Sequence, residues 1–192
     1  MNCIIEQSAR GNDQLSIEAL LATKRRIFLT TPVTGESCAD IIRLLMYFND
    51  QNPTEEIVLY INSPGGEVDS GFAVYDAMRM IEAPVRTVCI GVSASMGALI
   101  YLGGDTREML PHSRLMIHDP SFGGGSYAGK KPHELQAEVD KLNETREALC
   151  RVIAERTGKS LEEVAAKTET DSYFTAQQAI EFGLAHAIAQ KI

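Results

Sequence analysis

Apolar runs of strand length alternate along this chain with stretches of helical periodicity, and that alternation limits the folds open to it. The predicted strands are residues 26–31, 56–61, 85–90 and 115–118, and the predicted helices between them are residues 39–48, 68–81 and 95–102. Strands that alternate with helices form βαβ units, in which crossover helices join parallel strands. The sequence therefore predicts an α/β fold.

A long helix is predicted after this alternating part, over residues 132–157. Pro132 suits a first helical turn and Gly158 suits a helix end. Two further helices are predicted after Ser160 and Thr175, because each of these residues begins a capping box. The apolar stripe of the long helix consists of Leu135, Val139, Leu142, Leu149, Val152 and Ile153.

Ser95 lies where a predicted strand meets a predicted helix, within the glycine-flanked stretch 91–97. A serine hydroxyl needs an adjacent base to act as a nucleophile, and acyl transfer also needs backbone N–H groups that face the developing oxyanion. The first amides of a helix have no intrahelical partner, so the Met96 N–H is a candidate donor. The alternative interpretation is that Ser93 and Ser95 are helix N-caps.

A second glycine turn, residues 62–66 (NSPGG), follows one predicted strand and precedes a predicted helix. Glycine carries no Cβ and tolerates positive φ, so this backbone can approach a ligand closely and offer a second oxyanion donor. Pro-Gly is also an ordinary turn signal, which is the alternative. Neither the Rossmann nor the Walker phosphate-binding pattern is present.

His118 is the histidine best placed to act as the base. It ends an apolar run and precedes an Asp-Pro break, so its ring is predicted at a strand end, where site residues collect. His112 belongs to a proline-flanked turn, His133 to a helix start and His186 to the C-terminal region. The alternative for His118 is a structural, hydrogen-bonded histidine.

Four segments together resemble the proteolytic subunit of the Clp protease, the ClpP family. They are YINSPGG at 60–66, SASMGA at 93–98, MIH at 116–118 and TETD at 168–171, in the family's order. The resemblance runs from about residue 5 to residue 189. It implies a Ser95–His118–Asp171 triad, with the backbone N–H groups of Gly66 and Met96 as the oxyanion hole.

The same resemblance implies the rest of the biology. The fold would be the ClpP/crotonase-like one of repeated ββα and βαβ units, with residues 121–158 as a protruding handle and residues 1–20 near an axial pore. The protein would be a serine endopeptidase that hydrolyses unfolded polypeptides inside two stacked heptameric rings fed by an AAA+ ATPase. A docking pocket for that ATPase would include Val58, Tyr60, Ile90 and Leu110.

The chain departs from the family pattern beside two members of the implied triad. Asp119 follows His118 where the family usually has glutamine, and a second acid so close to the base can perturb it. Thr170 stands where arginine is usual before Asp171, which affects coupling between rings. Without the family comparison, Asp119, Glu169 and Asp105 would compete with Asp171 for the role of the third member.

Composition fits one peptidase domain over residues 1–192. The net charge of −8 and the absence of a long basic run argue against nucleic acid or an anionic membrane as partner. The four cysteines lack metal-binding spacing and are predicted to be reduced thiols, and neither a metal nor another cofactor is expected. Residues 1–7 do not resemble a signal peptide, so the expected location is cytoplasmic.

Two other functions share these motifs. A crotonase-type enzyme of similar fold would use the two amides to polarise an acyl-CoA thioester, without needing Ser95 or His118. A non-catalytic subunit of a mixed Clp ring would keep the motif residues but require a paralogous chain for activity. The first alternative predicts turnover of CoA esters, and the second predicts inactivity of the purified chain alone.

Overall fold

Strands and helices alternate along the computed structural model, which describes residues 3–8, 11–123 and 128–192. The strands are β1 (Cys3–Ser8), β2 (Gly11–Ser16), β3 (Arg26–Leu29), β4 (Ile57–Ser63), β5 (Val85–Ala94), β6 (Thr106–Met109), β7 (Arg114–Ile117), β8 (Ser172–Thr175) and β9 (Ala187–Ile188). The helices are α1 (Ile17–Ala22), α2 (Gly35–Gln51), α3 (Val68–Met80), α4 (Met96–Leu102), α5 (Pro132–Thr157), α6 (Leu161–Thr168) and α7 (Ala176–Phe182). This order confirms the predicted α/β fold.

One sheet contains the described strands from β3 onward. Its order is β3-β4-β5-β6-β9 with parallel pairing throughout, and β1 and β2 form a separate antiparallel hairpin. Strand β5 changes partner along its length, because residues 86–89 pair with β6 and residues 92–94 pair in parallel with β7. Strand β8 then pairs antiparallel with β7. The carboxyl ends of β4, β5 and β7 therefore meet at one edge, where open α/β sheets commonly carry their sites.

The two faces of the sheet are covered differently. Side chains alternate along a strand, so Ile57, Leu59 and Ile61 of β4 enter the main core with α2, α3 and α4. Val58 and Tyr60 face the other way and form a small separate cluster, which includes Val88 and the half-buried Ile90. Burial on both faces explains why β4 is apolar without interruption up to Ile61.

Capping residues set the ends of the helices. Thr34 and Ser37 form a capping box at α2, and the predicted boxes at Ser160 and Thr175 are confirmed at α6 and α7. The predicted bounds of α5 are also confirmed, with Pro132 in the first turn and Gly158 in the left-handed conformation at the end.

Several other predicted boundaries were wrong. Strand β3 ends at Leu29 rather than at residue 31, because its pairing with β4 stops there. Strand β5 runs on to Ala94 because its last residues pair with β7. Strand β7 covers residues 114–117, so His118 follows the strand instead of ending it. Helix α2 is longer than residues 39–48, α3 ends one residue early at Met80, and β4 covers residues 57–63.

Helix α5 packs on the core through its C-terminal half. Leu149 and Ile153 are buried there, whereas Leu135 and Val139 of the predicted apolar stripe are 36% and 40% exposed. Residues 124–127, in the glycine-rich stretch before this helix, lie outside the described residues. Within the described ranges, no helix combines the length and apolarity required to cross a bilayer.

The structure describes the side chains of three of the four cysteines, and none of these three forms a disulfide. Cys38, Cys89 and Cys150 are free and buried. The side chain of Cys3 lies outside the described part of the chain.

Candidate active site

Ser95 joins the end of β5 to the start of α4 in an unusual backbone conformation. Its φ of 53° and ψ of −124° put a non-glycine residue in a sparsely populated region. Its N–H donates to the Met116 carbonyl at 2.9 Å, and its carbonyl accepts from the N–H groups of Ala98 and Leu99 at 2.9 and 3.2 Å. The neighbouring chain therefore determines the backbone of Ser95, and the helix begins at Met96 rather than at residue 95.

The Ser95 side chain contacts a histidine and does not cap α4. Its Oγ lies 2.8 Å from His118 Nε2 and makes no capping hydrogen bond to the helix. Ser93 lies within β5, fully buried, and its hydroxyl has no hydrogen-bond partner among the described residues. Ser95 is therefore the N-cap residue of α4 by position but does not cap it with its side chain, and Ser93 is not an N-cap.

The parallel pairing of β5 with β7 brings Ser95 and His118 together. Ala94 is opposite Met116, so the residues that follow both strands leave the sheet side by side. His118 lies two positions beyond Met116, and its side chain is 24% exposed. The local sequence did not predict this contact, because residues 95 and 118 meet only through the sheet.

The antiparallel pairing of β7 with β8 brings Asp171 to the same histidine. Ile117 is opposite Ser172, so His118 and Asp171 are the next residues outward on the two strands. Asp171 Oδ1 lies 3.8 Å from His118 Nδ1, longer than a hydrogen bond, and the Asp171 side chain is 63% exposed. The sequence predicted only a connecting loop between two helices here and missed β8.

The competing acids have other partners or no described contact with His118. Asp105 accepts hydrogen bonds from Arg79 at 2.6 Å and from the Val85 N–H at 2.9 Å. Asp119 forms an ion pair with Arg146 of α5 at 2.7 Å. Among the described side-chain contacts, Asp171 is the only acid paired with His118.

The Gly65-Gly66 turn lies directly against Ser95. A Cβ at Gly65 would stand 2.7 Å from Ser95 Cβ and 2.9 Å from the Met96 nitrogen, and Gly65 has a φ of +92°. Gly66 is bridged to Val33, but the hydrogen bonds of that bridge use the neighbouring Gly65 carbonyl and Glu67 N–H. Within the described chain, no hydrogen bond uses the N–H of Gly66 or of Met96.

Two polar residues that sequence reasoning did not single out hold this turn in place. The Ser63 hydroxyl donates to the Thr31 carbonyl at 2.7 Å and accepts from the Gly65 N–H at 3.2 Å. The Asn62 side-chain oxygen accepts from the Val92 N–H at 3.0 Å, which ties the end of β4 to β5. Short polar side chains before a Pro-Gly turn are the signal that would have identified them.

The remaining histidines lie elsewhere. His112 and His133 are exposed, in a turn and in the first turn of α5. His186 Nδ1 accepts from the Arg107 N–H at 3.2 Å, and burial with the nearby Arg107 and Arg156 charges lowers the pKa of its imidazole. Of the four histidines, His118 alone contacts a serine hydroxyl in the described side-chain hydrogen bonds.

A cleft is lined by residues that come shortly after Gly66 and shortly after His118 in the chain. It has a volume of about 380 Å³ and lies between the start of α3, the residues after His118 and the middle of α5. Its lining includes Val68, Pro120 and Leu142, together with Glu67, Asp69 and Lys141. The cleft offers both apolar and polar surface, and its lining includes neither Ser95 nor His118.

The four predicted docking residues lie in and beside the smaller apolar cluster. Val58 and Tyr60 are buried, with Ile90 packed against them, and the N–H of the half-buried Leu110 donates to Cys89. The partly exposed Phe28 stacks on Tyr60 with 4.9 Å between ring centroids. A cavity of about 570 Å³ nearby, between α1, β3 and α2, is lined by Phe28 but by none of the four and by no residue of the Ser95 site.

This edge of the sheet combines a hydroxyl, an imidazole, a carboxylate and two amides that have no hydrogen-bond partner in the described part of the chain. An imidazole nitrogen at hydrogen-bond distance from a hydroxyl can remove its proton, and free N–H groups can stabilise an oxyanion. The described residues contain no cluster of three or more metal-ligating side chains.

A protein-family model described as Clp protease matches residues 9–192 of this chain. The match includes both glycine turns, the strands β4, β5 and β7, and the segment that carries Asp171. It confirms the resemblance that the four sequence segments indicated. This chain therefore belongs to the Clp protease family and is a peptidase of the ClpP type.

Proposed function

We propose that this chain is a serine endopeptidase that cleaves unfolded polypeptides through an acyl-enzyme. The observation that carries the proposal is the 2.8 Å distance between Ser95 Oγ and His118 Nε2. A serine and a histidine at that distance form a nucleophile and its base. The membership of the chain in a peptidase family supports peptide bonds as the substrate.

In the proposed reaction, Ser95 attacks the scissile carbonyl while His118 Nε2 accepts the hydroxyl proton. The N–H groups of Gly66 and Met96 stabilise the oxyanion, which is consistent with their lack of other partners. His118 then returns the proton to the leaving amine, and the acyl-enzyme forms. Water activated by His118 releases the second peptide product and restores the serine.

Asp171 is the proposed third member. Its carboxylate faces His118 Nδ1, the nitrogen away from Ser95, so it can orient the ring and stabilise the imidazolium. At 3.8 Å it does not form a hydrogen bond in this conformation. A shift of less than 1 Å in the short segment before β8 would bring it to hydrogen-bond distance.

The proposed working form is a cytoplasmic assembly of two stacked heptameric rings, fed by an AAA+ unfoldase. Residues 1–192 form one peptidase domain, with residues 1–20 near the pore and residues 121–158 as the handle between rings. The exposure of Leu135 and Val139 on α5 supports the handle, because such apolar residues are suited to burial against another subunit. Val58, Tyr60, Ile90 and Leu110, beside the exposed Phe28, are proposed to contact the ATPase.

The test is covalent labelling by a serine-directed fluorophosphonate. The wild-type chain should be labelled at Ser95, and Ser95→Ala should lose both labelling and peptide cleavage, the latter by about 10⁵-fold or more. Ser93→Ala is the matched control, since the Ser93 hydroxyl lies only two residues away and is buried without a hydrogen-bond partner among the described residues.

Persistent labelling of Ser95→Ala would exclude Ser95 as the nucleophile. Turnover of CoA esters that survives in the same variant would indicate the crotonase-type reaction instead. A pure chain that becomes active only after a paralogous subunit is added would indicate a mixed ring.

A further inference from the structure

The residue that follows His118 in the chain forms an ion pair with helix α5. Arg146 Nε of α5 lies 2.7 Å from Asp119 Oδ2, and Asp119 is the residue that follows His118. The contact is an ion pair by distance and charge, and its angles are not those of a hydrogen bond, since Arg146 Nε is buried without a hydrogen-bond partner among the described residues. Asp119 is only 27% exposed, and its second oxygen is buried without a hydrogen-bond partner among the described residues. A partly buried carboxylate depends more on its cation than a surface carboxylate does.

The backbone of Asp119 closes the short segment that contains Asp171. The Asp119 N–H donates to the Thr168 carbonyl at 2.6 Å, at the end of α6. On the other side of His118, Ile117 pairs with Ser172 of β8. Thr168 and Ser172 therefore contact the two residues on either side of His118, and Asp171 lies between Thr168 and Ser172 in the sequence.

Helix α5 supports the same corner from outside. Arg146 reaches Asp119, and one turn further along the helix Cys150 Sγ contacts Thr168 Oγ1 at 3.7 Å. Asp119, the residue after His118, is thus connected to α5 through its side chain and to the end of α6 through its backbone. A displacement of Asp119 would move His118 relative to both Ser95 and Asp171.

We propose that Asp119 and Arg146 are positioning residues for the triad, an inference that rests on the proposed serine peptidase function. Their ion pair fixes the corner that holds His118 between Ser95 Oγ and Asp171. The Arg146 cation also neutralises a carboxylate that would otherwise act on the His118 imidazole together with Asp171. Neither residue contacts the reacting atoms, so both act through His118.

If the ion pair positions His118, the charges of Asp119 and Arg146 should affect the pH dependence of activity in opposite directions. A contact with a purely structural role would not have this effect. The charged groups around this corner are Asp171, Glu169 and Lys167 from the loop and α6, together with Asp119 and Arg146. Glu67, Asp69 and Lys141 line the cleft that also contains Pro120, the residue after Asp119. Removal of Arg146 leaves an added negative charge that favours the imidazolium. Removal of the Asp119 charge leaves an added positive charge that disfavours it.

The experiment measures kcat/KM against pH for peptide cleavage in wild type, Arg146→Gln, Asp119→Asn and the double variant. The acidic limb of the profile should move to higher pH in Arg146→Gln and to lower pH in Asp119→Asn, that is, in opposite directions. The double variant should return close to the wild-type midpoint. In each single variant kcat should fall by about tenfold, with KM changed less than twofold.

Two further variants separate positioning from general effects. Arg146→Lys should restore most of the kcat and the wild-type midpoint. Arg151→Gln is the control on the same helix. Arg151 and Glu147 form an exposed ion pair with 3.7 Å between their charged atoms, so removal of this cation should leave the pH profile unchanged.

Equal shifts in one direction, or unchanged profiles in both single variants, would overturn the assignment. The proposed function is tested separately by fluorophosphonate labelling of the wild-type chain. If the wild-type chain is labelled but the pH profiles of the variants do not move, only the role of the ion pair is excluded. If the wild-type chain is not labelled, the serine peptidase mechanism on which this role rests is excluded.

Discussion

The two sides of His118 differ in how closely the surrounding structure determines them. On the Ser95 side, three backbone hydrogen bonds and the contact with Gly65 fix the position of Ser95. They hold its backbone at a positive φ that a flexible loop would not maintain. On the Asp171 side, the carboxylate is 63% exposed and stands 3.8 Å from the ring. Ser95, the proposed nucleophile, is held by its own backbone, whereas Asp171, the proposed acid of the triad, is placed by a strand end and the contacts of Asp119.

This difference shows where precision lies in the site. The 2.8 Å contact between Ser95 and His118 depends on packed main chain, which tolerates almost no displacement. In the proposed mechanism Asp171 acts only through the His118 ring, and solvent screens the carboxylate charge, so we expect the position of Asp171 to matter less. Substitutions on the Ser95 side should therefore cost more activity than substitutions on the Asp171 side.

Gly65→Ala should give the largest effect of the substitutions that leave the triad intact. A Cβ there would stand 2.6 Å from the Ala94 carbonyl and 2.7 Å from Ser95 Cβ, at a φ of +92°. Displacement of Ser95 and of the Met96 N–H should lower kcat/KM by about 10³-fold. Gly35→Ala is the control, since its Cβ would meet nothing closer than 3.9 Å. Full activity of Gly65→Ala would show that the backbone does not determine the position of Ser95.

Asp171→Asn should have an intermediate effect. The exposure and distance of the carboxylate predict a loss in kcat/KM of about 10²-fold, smaller than the roughly 10⁴-fold seen where a buried triad acid is replaced. Glu169→Gln makes the same change of charge two residues away and should leave the rate within about twofold. A loss for Asp171→Asn as large as that for Ser95→Ala would contradict the comparison, and steady-state peptide cleavage measures both.

Ser63→Ala should give the smallest loss of activity, together with a measurable loss of stability. Removal of the Ser63 hydroxyl leaves the part-buried Thr31 carbonyl and the buried Gly65 N–H without their side-chain partner, which should lower the free energy of unfolding by about 1–3 kcal/mol. The labelling rate should fall by less than about tenfold, because Gly65 itself remains. Thr23→Ala removes an exposed hydroxyl bonded to the Leu20 carbonyl and provides the control in urea unfolding. Unchanged stability of Ser63→Ala would show that the turn holds itself.

Sequence patterns predicted the parts of the fold whose residues carry their own signal. The apolar runs of β4 and β5 and the capped ends of α5, α6 and α7 are such parts, because burial on both faces and unsatisfied helix ends select particular residue types. Strand β6 was missed because its sequence, TREM, is mostly polar. Its Arg107 is nevertheless buried, with its guanidinium bonded to the carbonyls of Gly183, Leu184 and Arg156.

The site divides in the same way. Ser95 and the Gly65-Gly66 turn were found from local sequence, because a strand, a glycine turn and a helix follow one another there. The approach of Asp171 to His118 depends on the pairing of β7 with β8, residues far apart along the chain, and only the family resemblance indicated it. No local pattern on α5 distinguishes Arg146 from the other charged residues of that helix, so its pairing with Asp119 was not predicted.

The positive φ of Ser95 also limits which nucleophiles evolution can try at this position. A β-branched threonine would place a second heavy atom on Cβ in a region that such residues rarely occupy. Cysteine has the same branching as serine and fits the same backbone. The backbone at Ser95 is thus compatible with a thiol in place of the hydroxyl, but not with an additional methyl group on Cβ.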